Sequence, residues 1–135
     1  MSYDVLLQTD DLSETVPSKI NSNFRTARFL NRAAKSASFT VWDDDTSGVP
    51  YDVYLVTTAS STIVATFPDV TTVTGDAYLG RVETVMKVDS GGGSVTLDPD
   101  GSQTINGATT VSLSSQYNYR TLVSDGVEWF VIASS

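Results

Sequence analysis

The sequence predicts a mainly β protein, with a short N-terminal arm that contains a helix, followed by an antiparallel β-sandwich or barrel-like body. From Ser38 onward, Thr and Val supply 30 of 98 residues, and these residue types favour strands. Turn signals recur about every eight to twelve residues in the same region, which is typical of all-β domains. The 135 residues of the chain suffice for one compact domain with its own core.

The segment from Thr15 to about Ala37 has the pattern of a helix, with a proline in its first turn. One narrow stripe follows helical spacing: Ile20, Phe24, Ala27, Asn31 and Ala34. The stripe could pack on the protein's own sheet, form a parallel three-helix bundle with Asn31 as its polar layer, or order on a docking surface. We therefore divide the chain into an arm for docking or trimerisation, residues 1–37, and a body, residues 38–135.

Charge is unevenly distributed along the chain. Residues 15–35 hold five bases and no acid, whereas the net charge of the whole chain is −8. This balance disfavours binding to nucleic acid and to membranes. The bases Arg25, Arg28 and Arg32 lie beside the stripe, and they form either a solvated face or a docking surface for an acidic partner. The predicted docking arm consists of Ile20, Phe24, Arg25, Arg28 and Arg32.

The body shows a series of short alternating strands. Apolar residues alternate with mostly polar ones in three clear runs: Tyr51, Val53, Leu55; Ile63, Ala65, Phe67; and Val82, Thr84, Met86, Val88. Shorter runs continue the series at Val95–Leu97, Ile105, Val111–Leu113 and Tyr117–Val123. Turn sequences separate them at Ser90–Gly93, Asp98–Gly101 and Asn106–Gly107. About eight or nine strands are expected.

The last strand is apolar on both faces. Trp129 and Val131 point to one side, while Phe130 and Ile132 point to the other. One side can join the core, and the other needs a second cover, either a neighbouring subunit or a second sheet of the same chain. The residues Trp129, Phe130, Val131 and Ile132 form the predicted trimer interface.

Residue types with catalytic or metal-binding chemistry are scarce. Histidine and cysteine are absent, which removes disulfides, thiolate sites and the commonest general base. The acids of Asp43–Asp45 and Asp98–Asp100 lack the ligand count of a calcium loop, and Ser90–Ser94 lacks the helix and lysine of a phosphate loop. Several aromatics could form a sugar platform, although cross-strand packing is the favoured interpretation. We expect no enzyme activity, no metal and no cofactor.

The stretch from Lys87 to Tyr117, followed by Thr121–Trp129, resembles a virion module of tailed bacteriophages. It has that module's lysine-bearing strand, its V-T-L-D-P-D-G turn, its T-I-N-G-A-T-T hairpin, its L-S-S-Q-Y strand and its closing L-V-S-D-G-V-E-W pair. The segment I-N-S-N-F, which ends at Phe24, is similar to one that precedes such modules. The resemblance implies a homotrimeric β body used in head decoration, head fibres or tail fibres, and it brings no catalytic residues.

The resemblance leaves three functions open. The favoured one is a capsid decoration, or cement, protein that binds the phage major capsid protein on the outer surface of the head. The second is a head-fibre or tail-fibre component, although no fixed-period repeat is present. The third is a carbohydrate-binding module. The N-terminus lacks the features of a signal peptide, so we expect synthesis in the cytoplasm of the bacterial host.

Overall fold

The computed structural model describes residues 30–42, 50–71 and 80–135. Contacts divide the chain between Leu30 and Asn31, and every described residue except Leu30 belongs to the second unit, Asn31–Ser135. All regular elements in these three ranges are strands, so the mainly β prediction is confirmed. No helix of membrane-spanning length and apolarity occurs among the described residues.

The described part of the chain contains nine strands. Their bounds are β1 Arg32–Lys35, β2 Phe39–Thr40, β3 Val53–Val56, β4 Ile63–Phe67, β5 Val82–Lys87, β6 Val95–Pro99, β7 Val111–Leu113, β8 Tyr119–Ser124 and β9 Trp129–Ser134. They form a five-stranded sheet in the order β1-β3-β5-β8-β9 and a four-stranded sheet in the order β2-β4-β6-β7.

From β1 to β6, successive strands belong alternately to one sheet and to the other. As a result, β1, β3 and β5 are parallel neighbours in one sheet, and β2, β4 and β6 are parallel neighbours in the other. Antiparallel pairing joins only β5 to β8, β8 to β9 and β6 to β7. The predicted antiparallel arrangement is therefore wrong for the first three strands of each sheet. Neither sheet closes into a barrel within the described residues.

The helix prediction is wrong at its C-terminal end, where Arg32–Lys35 form β1. Ala33 of this strand is buried in the core, and the Thr57 backbone N–H donates to the Lys35 carbonyl over 2.9 Å. These tertiary contacts outweigh the helix propensity of the alanines. Residues 15–29 of the predicted helix lie outside the described residues, and the predicted boundary after residue 37 falls between β1 and β2.

Both sheets contribute side chains to one hydrophobic core. The rings of Phe39 and Tyr54, which belong to different sheets, are stacked with centroids 4.9 Å apart. Phe67 meets Trp129 edge-on, also with ring centroids 4.9 Å apart. The alternating residues Ile63, Ala65 and Phe67, together with Val95 and Leu97, are all buried here.

The connections between the sheets are stacked, and a buried lysine stabilises one of them. The Lys87 ammonium is fully buried and donates to the Asp89 carbonyl (2.7 Å), the Asp89 carboxylate (3.0 Å) and the Gly91 carbonyl (2.9 Å). Asp89 also accepts the backbone N–H groups of Thr58 and Ala59. The Thr58 N–H bond, with the Lys87 and Ala59 bonds, lowers the pKa of Asp89 below its ordinary range.

Glycines allow these connections to approach each other closely. A Cβ atom on Gly93 would lie 2.1 Å from the Ser61 carbonyl oxygen, and one on Gly91 would lie 2.0 Å from that of Ala59. Neither distance is possible for a real side chain. The predicted turn at Ser90–Gly93 is therefore a tightly stacked connection, because its backbone lies directly against the connection that follows β3.

Candidate assembly surface on the five-stranded sheet

Strand β9 places only part of the predicted trimer interface at the surface. Trp129 is fully buried, with its ring 5.3 Å from that of Trp42 and its backbone N–H bonded to the Thr104 carbonyl. Trp129 thus belongs to the core of its own chain, which corrects its assignment to the predicted interface. Val131 is half-buried against the core, whereas Phe130 and Ile132 are 41% and 57% exposed.

A β-bulge sets the direction of these two exposed side chains. Leu122 pairs with Val131, but the adjacent Thr121 pairs with Ala133, so Ile132 is an extra residue in β9. An extra residue of this kind bends a strand and redirects its side chains. Phe130 lies opposite Val123, on the side of the sheet away from Trp129.

The register shows that Phe130 and Ile132 extend a much larger surface. Residues in register across neighbouring strands share one face of a sheet. The row Val82, Val123 and Phe130 crosses β5, β8 and β9. The row Ala34, Leu55, Met86 and Tyr119 crosses β1, β3, β5 and β8. Between them lies a row with Val53, Thr84 and Thr121. We call these residues, together with Ile132, the apolar face.

The apolar face explains the alternation that the sequence shows in β3, β5 and β8. Those alternating residues are only half-buried or exposed, whereas the positions between them are buried: Tyr54, Val56, Glu83, Val85, Lys87, Leu122 and Ser124. The alternation located these strands, but in β3, β5 and β8 the alternating residues lie on the outer side of the sheet and not in the core. The five-stranded sheet is thus apolar on its outer side as well.

Polar groups on the apolar face satisfy each other. The hydroxyls of Thr84 and Thr121 are 2.9 Å apart and hydrogen-bonded, so one of their two O–H groups already has its acceptor within the face and would not lose a water partner in a dry contact. Among the described residues, the one charged side chain on this side of the sheet is Arg32, which is exposed at the β1 edge. A partner could therefore cover the face without burying a carboxylate.

The dimensions of the apolar face suit a protein contact. Five strands at about 4.8 Å spacing span about 19 Å, and the rows from Val82 to Met86 span about 13 Å. With its side chains the face covers on the order of 400 Å², which lies within the range of the largest apolar patch on a typical monomer, and such a patch is often functional.

The remaining predicted site residues lie elsewhere or outside the described ranges. Of the docking arm, Arg32 is in β1, while Ile20, Phe24, Arg25 and Arg28 lie outside the described residues, as do Asp43–Asp45. The predicted turn at Asn106–Gly107 is confirmed: both residues have positive φ, at 52° and 85°, and Ile105 bridges to Ala108.

An open acidic cleft lies at the predicted Asp98–Gly101 turn. Its volume is about 310 Å³, and its lining includes Asp69, Asp100 and Glu128. Asp69 accepts bonds from Thr71 and Gln103, and Glu128 accepts bonds from Thr104. The described residues contain no group of three metal-ligating side chains. The cleft carboxylates that accept these bonds orient the surrounding loops.

Four of the described aromatic residues that could have formed a sugar platform lie in different parts of the structure. Tyr54 and Trp129 are in the core, Tyr119 is on the apolar face, and Tyr117 is exposed on a turn. No protein-family model matches the chain, and no curated protein matches it either.

Proposed function

We propose that this chain is a self-assembling structural protein whose copies associate through the apolar face as a homotrimer. The observation that carries the proposal is the contrast between that face, which has one charged residue at its edge, and a chain with a net charge of −8. Acidic copies repel each other over most of their surface. The apolar face is where contact removes hydrophobic area from water without opposing like charges.

A second copy of the chain is the occupant that fits the face best. A partner of opposite charge would gain nothing there, because the described residues of the face offer no carboxylate. Closed symmetric assembly lets each copy cover the apolar surface of the next. The trimeric state in particular rests on the resemblance of Lys87–Trp129 to the phage module. In the proposed subunit the two sheets form the layers of an open sandwich around the core that contains Phe67 and Trp129.

The proposed role of the trimer is to decorate the head of a tailed bacteriophage. The same resemblance supports this role, and it makes the phage major capsid protein the partner. The part of the arm that precedes β1 would attach the body to the outer surface of the head, with Arg25, Arg28 and, at the edge strand of the body, Arg32 against acidic capsid residues. Under this proposal the protein has no catalytic activity, cofactor, nucleic-acid partner or membrane partner.

A head-fibre or tail-fibre component is the second candidate, because the same module resemblance covers such fibres. A carbohydrate-binding receptor module is a weaker alternative, since the aromatic residues are dispersed. Electron microscopy of purified phage particles with labelled antibody against the chain distinguishes the first two. Label over the head surface supports decoration, label on the tail supports a fibre, and particles without label contradict both.

The arm is tested by rebinding to particles that lack the protein. We expect the variant Arg25→Glu, Arg28→Glu, which leaves Arg32 of β1 unchanged, to bind such particles at least tenfold more weakly, with a reduced dependence on salt. Arg120→Glu serves as the control, because Arg120 lies in the body and bonds to carbonyls of its own subunit. Equal binding of the arm variant and the control would show that the basic residues of the arm do not contribute to attachment.

A further inference from the structure

Strand β5 carries a carboxyl group in the interior of the protein. The Glu83 side chain is fully buried. Its Oε1 accepts a bond of 2.9 Å from Nε of Arg81, and the Trp42 side chain also interacts with the carboxyl group and favours its charged form, although Oε2 is buried without a partner of full hydrogen-bond geometry. A charged carboxylate with half of its oxygens unsatisfied is costly in such a place, whereas a neutral carboxyl costs much less.

The partner of this carboxyl group is itself at the boundary of the core. Arg81 is 24% exposed, and its guanidinium carbon lies 4.9 Å from the ring centroid of Trp42. Trp42 in turn contacts Trp129, with ring centroids 5.3 Å apart. The ion pair with Glu83 therefore holds Arg81 over Trp42 by a cation–π contact.

The charged groups that face Glu83 from the described residues are few. Arg81 lies on the same chain segment, and Asp52 lies just before β3, on one side of β5. On the other side, β8 presents the uncharged Leu122 in direct register. Burial raises the pKa of Glu83 to about 7 in spite of the attraction of Arg81, and the like charge of Asp52 raises it further.

Titration near neutral pH would be distinctive in this chain. It contains neither histidine nor cysteine, whose ordinary pKa values of about 6.5 and 8.5 fall near neutrality. Apart from the α-amino group, at about 7.7 to 8.0, ordinary side chains of this chain titrate well outside that range.

We propose that Glu83, Arg81 and Trp42 form a proton-operated latch in the core of the body. When Glu83 is ionised, its buried charge needs Arg81, and the guanidinium stays over Trp42. When Glu83 takes up a proton from solvent, the ion pair is lost, and Arg81, whose Nη2 is also buried without a partner, turns towards water. The latch is independent of the proposed assembly and of the proposed virion role.

Tryptophan fluorescence reads the latch directly, since both tryptophans of the chain, Trp42 and Trp129, lie at it. We expect a one-proton change in emission of the full-length protein with a midpoint near pH 7. Glu83→Gln should abolish it, because the amide mimics the neutral carboxyl and cannot titrate. Asp98→Asn is the matched control on the four-stranded sheet, away from both tryptophans, and should retain the transition.

Neighbouring charges give a second test that does not depend on changing Glu83. Asp52→Asn should lower the midpoint and Arg81→Met should raise it, because these charges act on the Glu83 proton in opposite senses. Circular dichroism checks that each variant is folded. Absence of a transition between about pH 5.5 and 8.5, its persistence in folded Glu83→Gln, or an unchanged midpoint in both neighbour variants would overturn the latch.

Discussion

The outer faces of the two sheets are built from the same alternating pattern but differ in chemistry. On the four-stranded sheet, the positions that point away from the core are Thr40, Val64, Thr66, Thr96, Asp98 and Ser112. On the five-stranded sheet, the equivalent positions form the apolar face. A solvated sheet face is expected to be polar, so the first sheet meets that expectation and the second does not.

The two outer faces differ in whether they are suited to contact with water. The polar outer face of the four-stranded sheet requires nothing further. The polar groups of the apolar face are the bonded hydroxyls of Thr84 and Thr121 and the hydroxyl of Tyr119, and exposing the rest of the face to water has a continuing free-energy cost. The protein therefore has one sheet with a polar outer face and one with an apolar outer face, and the proposed self-assembly would cover the second.

The largest expected effect separates core leucines from face leucines. Leu97 is buried between the sheets, whereas Leu55 is half-buried on the apolar face. We expect Leu97→Ala to lower the free energy of unfolding by about 3 kcal/mol at every protein concentration. Leu55→Ala should weaken only the associated form, so its effect should shrink on dilution. Urea unfolding at two protein concentrations measures the loss of stability in each variant. Losses that are equal in the two variants and independent of concentration would contradict the difference between core and face.

A smaller effect tests the stacked connections that join the two sheets. Gly93→Ala places a methyl group against the Ser61 carbonyl and should destabilise the body by about 2 kcal/mol. Gly92→Ala is the matched control, because a Cβ atom there meets nothing within 4 Å. Thermal unfolding should show a clear drop for the first variant and almost none for the second. Similar melting temperatures for the two variants would mean that the two connections can move apart at little cost in stability.

Acid should weaken the same connections through Asp89. Its pKa is lowered in the folded protein, so its stabilising contribution is present above the unfolded value and is lost as pH falls towards the folded value. Glu83 acts in the opposite sense, because its raised pKa makes the folded state less stable as pH rises towards 7. Urea midpoints between about pH 2 and pH 5 should fall less steeply with acid for Asp89→Asn than for the native chain. Parallel pH profiles would contradict this role.

Salt gives the smallest of the expected effects and distinguishes the apolar face from a charged interface. Raising the salt concentration from about 0.1 M to about 1 M should tighten self-association modestly, because it screens repulsion between acidic bodies. Analytical ultracentrifugation at both concentrations measures the change. Dissociation by salt would indicate ion pairs at the contact and would contradict an apolar one.

Sequence reasoning succeeded where local chemistry decides the structure. The strands β4 and β6 and the Asn106–Gly107 turn follow from side-chain alternation and from residues that tolerate positive φ. The parallel pairing of β1, β3 and β5 could not be predicted in this way, because turn residues show where a strand ends but not which sheet the chain enters next.

The candidate surface was predicted only at its edge. Phe130 and Ile132 were recognised because β9 is apolar on both sides. The outer side of β5 was not recognised, because two charged residues, Glu83 and Lys87, lie on the opposite, buried side of that strand. No rule of residue type places Glu83 and Lys87 in a core. Each has a counter-charge two residues away, at Arg81 and Asp89, and that spacing is the local signal that could have indicated their burial.

The molar mass of the full-length protein in solution tests the central claim most directly. Light scattering at micromolar concentration should give about 43.5 kDa, three times the 14.5 kDa of one chain, for the native protein and for Thr66→Asp on the polar outer face. Phe130→Asp, which places a carboxylate on the apolar face, should give 14.5 kDa while remaining folded. A monomeric native protein, or a Phe130→Asp variant that stays trimeric, would contradict assembly through the apolar face.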